Sequence, residues 1–523
     1  MIDKTTKKTI LFNDLSEENQ NKMFDVSMKK FIHNIDSLYY VVKIKGDWNT
    51  HEGCKSFVYY LKEQKEECLK TYEPYVLEDL GTEYLMNGIG SANYRYDIEK
   101  KDKYIIFLMH NQINPNTPEL WVQIRSQFLW TYGEYRAVEE SIKDVESILA
   151  KYKIEIEEIK ENRIDYAYHT NYIQDPLSFF KIEDLNKMQV SRFKRWSLEG
   201  CFVGEWDMDL DYITLGRKKS NNLFFRIYNK TKEVIEQGYK QFFIKLWYLE
   251  KMINFYDMYC IEKAFENSSY DYLDVARLEF YVEHGKNKVY KQQIKELINT
   301  NNYDYKQIRK LANQITPKVT LVCNVEIETK RKYYKSLDNS VDTLLKVKSK
   351  CPSYANKLYI KLDNKQLFHN LLTCKNEKQE GVIRFIDYKA KNKFGKGWTR
   401  KSKYPTATWW KRLQAVKVNR KFKEEDVQLI REYQKNLDEK CIKRRLINTV
   451  STYKLYKSQD VESSLAEDLL DFISGINESD TQKAIEYKKK KIALLGARLK
   501  DVNKTDCERI YTLLNLETGE ILD

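Results

Sequence analysis

The stretch Arg163-Ile164-Asp165-Tyr166-Ala167-Tyr168-His169 alternates with the two-residue period of a strand. Ile164, Tyr166 and Tyr168 then point one way, while Arg163, Asp165, Ala167 and His169 point the other. A carboxylate and an imidazole share that second face, and the small Ala167 leaves room between them for a divalent metal ion. The bland alternative is a strand edge with unrelated polar groups. Leu223-Phe224-Phe225-Arg226-Ile227-Tyr228-Asn229-Lys230 repeats the pattern: Leu223, Phe225 and Ile227 form a buried face, and Arg226, Tyr228 and Lys230 stand opposite with Phe224. A phenol thus sits between two cations, which favour the phenolate and can grip a phosphate. The bland alternative here is a solvated sheet face.

Ala276-Arg277-Leu278-Glu279-Phe280-Tyr281-Val282 reads as a third strand, with Arg277, Glu279 and Tyr281 on its open side. Glu279 is then a second carboxylate, and Asp165, His169 and Glu279 form a ligand set suited to Mg²⁺ or Mn²⁺. A surface ion pair is the competing reading of Arg277 and Glu279. Tyr228 is the first candidate nucleophile among 39 tyrosines. Its rival is Tyr333 in the basic run Lys330-Arg331-Lys332-Tyr333-Tyr334-Lys335, which has no alternation tying it to the acidic face.

These groups need a sheet to hold them. Tyr212-Ile213-Thr214-Leu215 is expected to pair with the Tyr228 strand through the turn Gly216-Arg217-Lys218-Lys219-Ser220. Further strands are expected at Leu38 to Ile44, Lys103 to Met109 and Glu119 to Phe128. Three- and four-residue apolar spacing predicts helices over Gly53 to Tyr72 and Tyr135 to Tyr152. Beyond about residue 345 the texture turns Lys-rich. From Lys389 to Trp410, positive charge and aromatic rings interleave in a way that suits phosphates and exposed bases; a solvated loop with two core tryptophans is the alternative. From Lys423 onward, Val427, Ile430, Leu437, Ile442 and Leu446 suggest a separate helical region. The resulting division is 1–150, an N-terminal α+β part; 151–345, the chemical core; 346–420, a basic aromatic contact segment; and 421–523, helical.

Composition bounds the partners. Lys and Arg outnumber Asp and Glu by 90 to 77, a formal charge of +13, which favours a polyanion, with nucleic acid ahead of anionic membrane. Apolar runs such as Tyr104 to Met109 are too short to span a bilayer. The polar start lacks a signal-peptide core, which leads us to expect a cytoplasmic protein. Nine scattered cysteines with no C-x-x-C spacing fit reduced thiols.

In order, the three motifs resemble the replication initiation factor (Rep_trans) family of rolling-circle plasmid initiators and conjugative relaxases, over roughly residues 100 to 345. The likeness lies in Arg163-Ile164-Asp165, in Gly216 to Ser220 with Ile227-Tyr228-Asn229-Lys230, and in Arg277-Leu278-Glu279. It implies an HUH-like nicking domain, α+β, with a central antiparallel sheet and helices on one face. It also implies sequence-specific, metal-dependent cutting of one DNA strand through a phosphotyrosine, with Arg217, Lys218, Arg226, Lys230, Arg277, Lys330, Arg331 and Lys332 contacting DNA at an origin. A conjugative relaxase with the same chemistry, or a non-catalytic DNA-binding regulator, are the alternatives. With no nucleotide-binding loop, unwinding falls to a host helicase, and a homodimer could supply a second nucleophile. Two departures stand out. His169 occupies a place where family members often carry an acid, and none of the six histidines forms a His-x-His pair.

Overall fold

The computed structural model describes residues 9–418 except 26–27, 47, 72–73, 88–93, 102, 109–117, 181–183, 185–186, 192–195, 204–206, 216–221, 238–239, 299–303, 332–364 and 376–381. The expected helical region 421–523 therefore lies outside the described residues.

The N-terminal part runs α1 (Ile10–Asp14), α2 (Glu17–Met23), β1 (Phe31–Ile44), α3 (Glu52–Thr71), β2 (Tyr75–Val76), β3 (Tyr84–Met86), β4 (Tyr96–Lys100), β5 (Tyr104–Leu108), β6 (Leu120–Ile124), α4 (Ser126–Tyr132) and α5 (Glu134–Lys151). It continues through β7 (Ile156–Thr170), α6 (Pro176–Phe179), β8 (Gln189–Ser191), β9 (Trp196–Val203), β10 (Asp207–Leu215) and β11 (Leu223–Asn229). Then come helices α7 (Lys230–Gln237), α8 (Phe242–Leu249), α9 (Phe255–Glu266), α10 (Tyr272–His284), α11 (Lys288–Ile298) and α12 (Tyr305–Ile315), before β12 (Cys323–Lys330). Last are α13 (Lys365–Thr373), β13 (Ile383–Phe385) and α14 (Thr408–Gln414).

Eleven strands form one sheet in the order β2-β3-β4-β5-β6-β1-β7-β12-β11-β10-β9, so the sheet runs unbroken across residue 150. Every pairing is antiparallel. The fold is α+β, as the strand and helix periodicities imply.

Helices cover both faces, where the resemblance implied one. On one, Leu38 and Val42 of β1 pack with Phe57 and Leu61 of α3 and Val138 and Ile142 of α5. The same core continues through Tyr166, Ile327 and Phe225 to Phe368 of α13, Phe385 of β13 and Trp410 of α14. On the other, Ile32 and Ala167 join Trp130 and the buried side chains of α7 to α12. Burying one such aliphatic or aromatic side chain contributes about 1.5–3 kcal/mol, so the two layers together clamp the central strands.

Two expected elements change. The strand over Glu119 to Phe128 stops at Ile124, where Ser126 starts α4. Residues 276–282 are not a strand but the middle of α10. Leu273, Val275, Ala276, Leu278, Phe280 and Tyr281 are all buried there. A helix buried nearly all round satisfies the strand period as readily as its own, and a short apolar run cannot tell them apart.

Candidate functional site

The register of three strands sets the site. Asp165 of β7 lies opposite Glu328 of β12, Ala167 opposite Glu326 and His169 opposite Asn324. In turn Phe224 of β11 faces Glu328, Arg226 faces Glu326 and Tyr228 faces Asn324. Because side chains alternate across a sheet, one face presents Arg163, Asp165, Glu328, Glu326, Arg226 and Tyr228 together. The phenol, Asp165 and Arg226 were expected on this face. Glu326 and Glu328 were missed, although Asn324-Val325-Glu326-Ile327-Glu328 alternates as cleanly as β7 and carries the signal.

Carboxylates directly opposite one another in a sheet repel, and a bridging guanidinium moderates that here. Arg163 Nε donates to both oxygens of Asp165 at 2.8 and 3.0 Å, and its terminal nitrogen bonds Asp165 as well. That nitrogen also lies 2.9 Å from Glu328. Burial, with Glu326 and Glu328 adding to it against Arg163, raises the Asp165 carboxyl to about 7. Glu328 is 2% exposed, and neither of its oxygens has a hydrogen-bond partner among the described residues. Its nearby cations, Arg163 and Lys330 at 3.8 Å, supply charge without hydrogen-bond geometry. A buried carboxylate with open lone pairs beside a second acid suits a hard cation that keeps several waters and takes one or two protein carboxylates. Among the described residues, no three His, Cys, Asp or Glu side chains are arranged to hold an ion by themselves.

Tyr228 has a fully occupied hydroxyl. It donates to Glu326 Oε2 at 3.1 Å and accepts from Asn324 Nδ2 at 3.0 Å and Lys230 Nζ at 3.2 Å. Arg226 lies 5.1 Å from its ring centre and bonds Glu326 at 2.6 Å. The expected depression of the phenol's pKa does not occur. Burial, reinforced by Glu233 and Glu326, raises it well above the ordinary value despite Arg226. Burial likewise lowers Lys230, whose ammonium is fully covered and paired with Glu233 at 2.7 Å. Lys230 therefore serves Tyr228 from inside and does not reach a surface.

His169 is not a metal ligand in this arrangement. Its ring lies against Trp130, Phe243 and Trp247. Its Nδ1 accepts the indole N–H of Trp247 at 3.1 Å. An indole only donates, so the neutral imidazole must carry its proton on Nε2, leaving no lone pair there for a cation. Burial, with Lys230 adding, lowers the ring's pKa to about 3 and keeps it neutral.

Glu279 and Arg277 leave the site because their segment is helical. Glu279 accepts from Tyr272 Oη at 2.7 Å. Arg277 is 4% exposed, bonds Asp274, and donates to the carbonyls of Ala312 and Thr316 at the end of α12. It satisfies helix-terminal carbonyls that would otherwise stand unpaired, so its guanidinium is not free to meet DNA. Lys330 is partly exposed, and partly exposed Arg331 pairs with Glu161 at 3.0 Å. Arg217, Lys218, Lys332 and the rival Tyr333 lie outside the described residues.

No family model and no curated protein matches the sequence. Among solved structures, the rolling circle replication initiator protein from Geobacillus stearothermophilus is similar at a TM-score of 0.34 and 12% identity. The match covers 75% of this chain and 100% of that one. No helix among the described residues is long and apolar enough to cross a membrane, and Cys54, Cys68, Cys260, Cys323 and Cys374 are free thiols.

Proposed function

We propose that this chain is a DNA strand-nicking enzyme that initiates rolling-circle plasmid replication, with Tyr228 as nucleophile. The observation that carries the reading is the register of β7, β12 and β11, which gathers Asp165, Glu326, Glu328, Arg226 and Tyr228 on one sheet face. In the proposed step, the Tyr228 oxygen attacks a backbone phosphorus in line and the P–O3′ bond breaks. The products are a phosphotyrosine joined to one end and a free 3′-hydroxyl on the other. The departing phenolic proton goes to Glu326, the acceptor of its hydrogen bond, and the leaving 3′ oxygen takes a proton from solvent water; Asn324 and Lys230, which only donate to the phenolic oxygen, stabilise the phenolate. Arg226 and Lys330 hold the scissile phosphate. Asp165 and Glu328 would hold Mg²⁺ or Mn²⁺, which when bound polarises a phosphate oxygen as a Lewis acid. DNA is the partner in this reading, with a host helicase for unwinding and a second copy of the chain for the closing cut.

The second reading, a DNA-binding regulator that keeps this sheet and cuts nothing, is favoured by the 8% exposure of Tyr228. One experiment separates them. Supercoiled plasmid carrying the DNA that flanks the gene is incubated with the protein and Mn²⁺, then denatured and resolved on a gel. Nicked circles with covalently attached protein, absent with Tyr228→Phe, are the expected result. Persistence of the adduct in that variant excludes Tyr228, and failure of the wild type to form it favours the regulator.

A further inference from the structure

Residues 387–404 build an ordered surface turn whose tip is an aromatic ring. Asn392 organises it: Oδ1 accepts from the backbone N–H of Phe394 at 2.9 Å and of Lys396 at 3.1 Å. The backbone N–H of Asn392 donates to Lys396 O at 2.7 Å, and that of Gly395 to Asn392 O at 2.9 Å. Gly395 takes φ +72°, the left-handed conformation that favours glycine. A Cβ at Gly397 would come within 2.7 Å of the Tyr404 hydroxyl, so a larger residue there would have to displace that side chain. Trp398 packs on Tyr404 with ring centres 5.0 Å apart. The base is tied down by Asp387 N–H to Pro405 O at 2.9 Å and by Arg384 to Ser402 O at 2.7 Å.

The aromatic residues of this segment divide sharply. Trp410 is fully buried and Trp409 packs against the same core, so this pair is structural. Tyr388 bonds Asp184. Phe394, in contrast, is 74% exposed, with Lys393 Nζ 5.0 Å from its ring centre. Lys389, Lys391, Lys393, Lys396, Arg400, Lys401 and Lys403 crowd residues 389–403, and no Asp or Glu interrupts them. All seven are exposed. Among the described residues, Lys391, Lys393, Lys396, Arg400 and Lys403 have no carboxylate within salt-bridge distance.

We propose that this turn is a single-stranded DNA contact, in which Phe394 stacks on an unpaired base while Lys391, Lys393 and Lys396 lie along the adjoining phosphates. It rests on the reading that the protein works on DNA, and it adds the place where a melted strand is held. A ring left in water at the tip of a turn held by the Asn392 hydrogen bonds is preorganised, so stacking costs little further ordering. Every base offers a π-face, and cations beside the ring match the strand's charge. An anionic membrane is the weaker match. Interfacial binding scales with buried apolar area, and within this turn Phe394 is the exposed large apolar side chain.

The test measures binding of a labelled dT oligonucleotide, and of a duplex of equal length, by the full chain. Phe394→Ala should weaken binding to the oligonucleotide about 5- to 100-fold and binding to the duplex far less. Tryptophan emission from F394W should be quenched by the oligonucleotide relative to wild type. The triple variant K391A/K393A/K396A should reduce the salt slope by about 0.7 for each lost phosphate contact. Binding of the oligonucleotide is read directly and needs no cut strand, so loss of the turn's role and loss of the nicking reading are told apart. Unchanged affinity in Phe394→Ala overturns the proposal. So does F394W emission that shifts with phosphatidylglycerol vesicles and ignores the oligonucleotide, an outcome that would assign the turn to a membrane surface.

Discussion

Strands β7, β12 and β11 have two faces, both covered by helices and filled in opposite ways. On one, Tyr166, Tyr168, Val325, Ile327, Phe225 and Ile227 make a dry core. Its polar atoms are matched: Tyr168 Oη bonds His369 Nδ1 at 2.7 Å, and His369 Nε2 bonds Gln414 O at 3.1 Å. On the other, Asp165, Glu326 and Glu328 are at most 2% exposed, yet like charges stand opposite each other and Glu328 has open lone pairs. Stability alone favours the first solution, since an uncompensated buried charge costs several kcal/mol. Groups held in a costly electrostatic arrangement mark functional sites more often than structural ones, and that contrast is the reason to place the chemistry on the acidic face.

The comparison breaks most visibly through activity. Asp165→Asn or Glu328→Gln should reduce nicked-circle formation by about 100-fold or more, the scale of losing one electrostatic group at a reacting phosphate. Stability at neutral pH should hold or rise by about 1 kcal/mol in urea titrations, because a like-charge pair is relieved. If both variants unfold readily, the acidic face is structural. Phe225→Ala on the dry face should do the reverse. It should cost about 3–5 kcal/mol, with the adduct formed per folded molecule unchanged.

A smaller effect compares the faces through their buried histidines. Burial lowers His169 to about 3 and His369 to about 4, from an ordinary 6.5. The unfolded chain takes up protons below 6.5 that the native state refuses. Stability is therefore complete above pH 6.5 and falls as pH drops toward 3 to 4, by about 1.4 kcal/mol per pH unit for each ring. His369→Gln should remove one ring's share of that slope in urea midpoints taken between pH 4.5 and 7. A slope equal to wild type would mean that His369 is not held neutral. The smallest expected change is Trp247→Phe, which deletes the donor to His169 Nδ1 and should cost about 1 kcal/mol; no loss would make that hydrogen bond dispensable.

The sheet's individual strands were readable where alternation was strict, as at Arg163 to His169 and at Leu223 to Tyr228. The hairpin partner was readable too, since Tyr212 to Leu215 pairs with the Tyr228 strand as its turn implies; the partners distant in sequence were not. Tyr168 and Asn324 meet across 156 positions of sequence, and no local pattern encodes which distant strand a given strand will choose. Glu326 and Glu328 therefore escaped notice, although their own strand alternates. Glu279 was misplaced for a different reason: the all-round burial of α10 mimics a strand's rhythm. For His169, residue type suggested a ligand, and only the indole proton of Trp247 revealed the tautomer that forbids it.

The central claim is that Tyr228 forms the bond to DNA. Digesting the covalent complex and sequencing the nucleotide-bearing peptide by mass spectrometry tests it directly. A peptide modified at Tyr228 is the predicted result; modification at Tyr333, or at any other residue, contradicts the account.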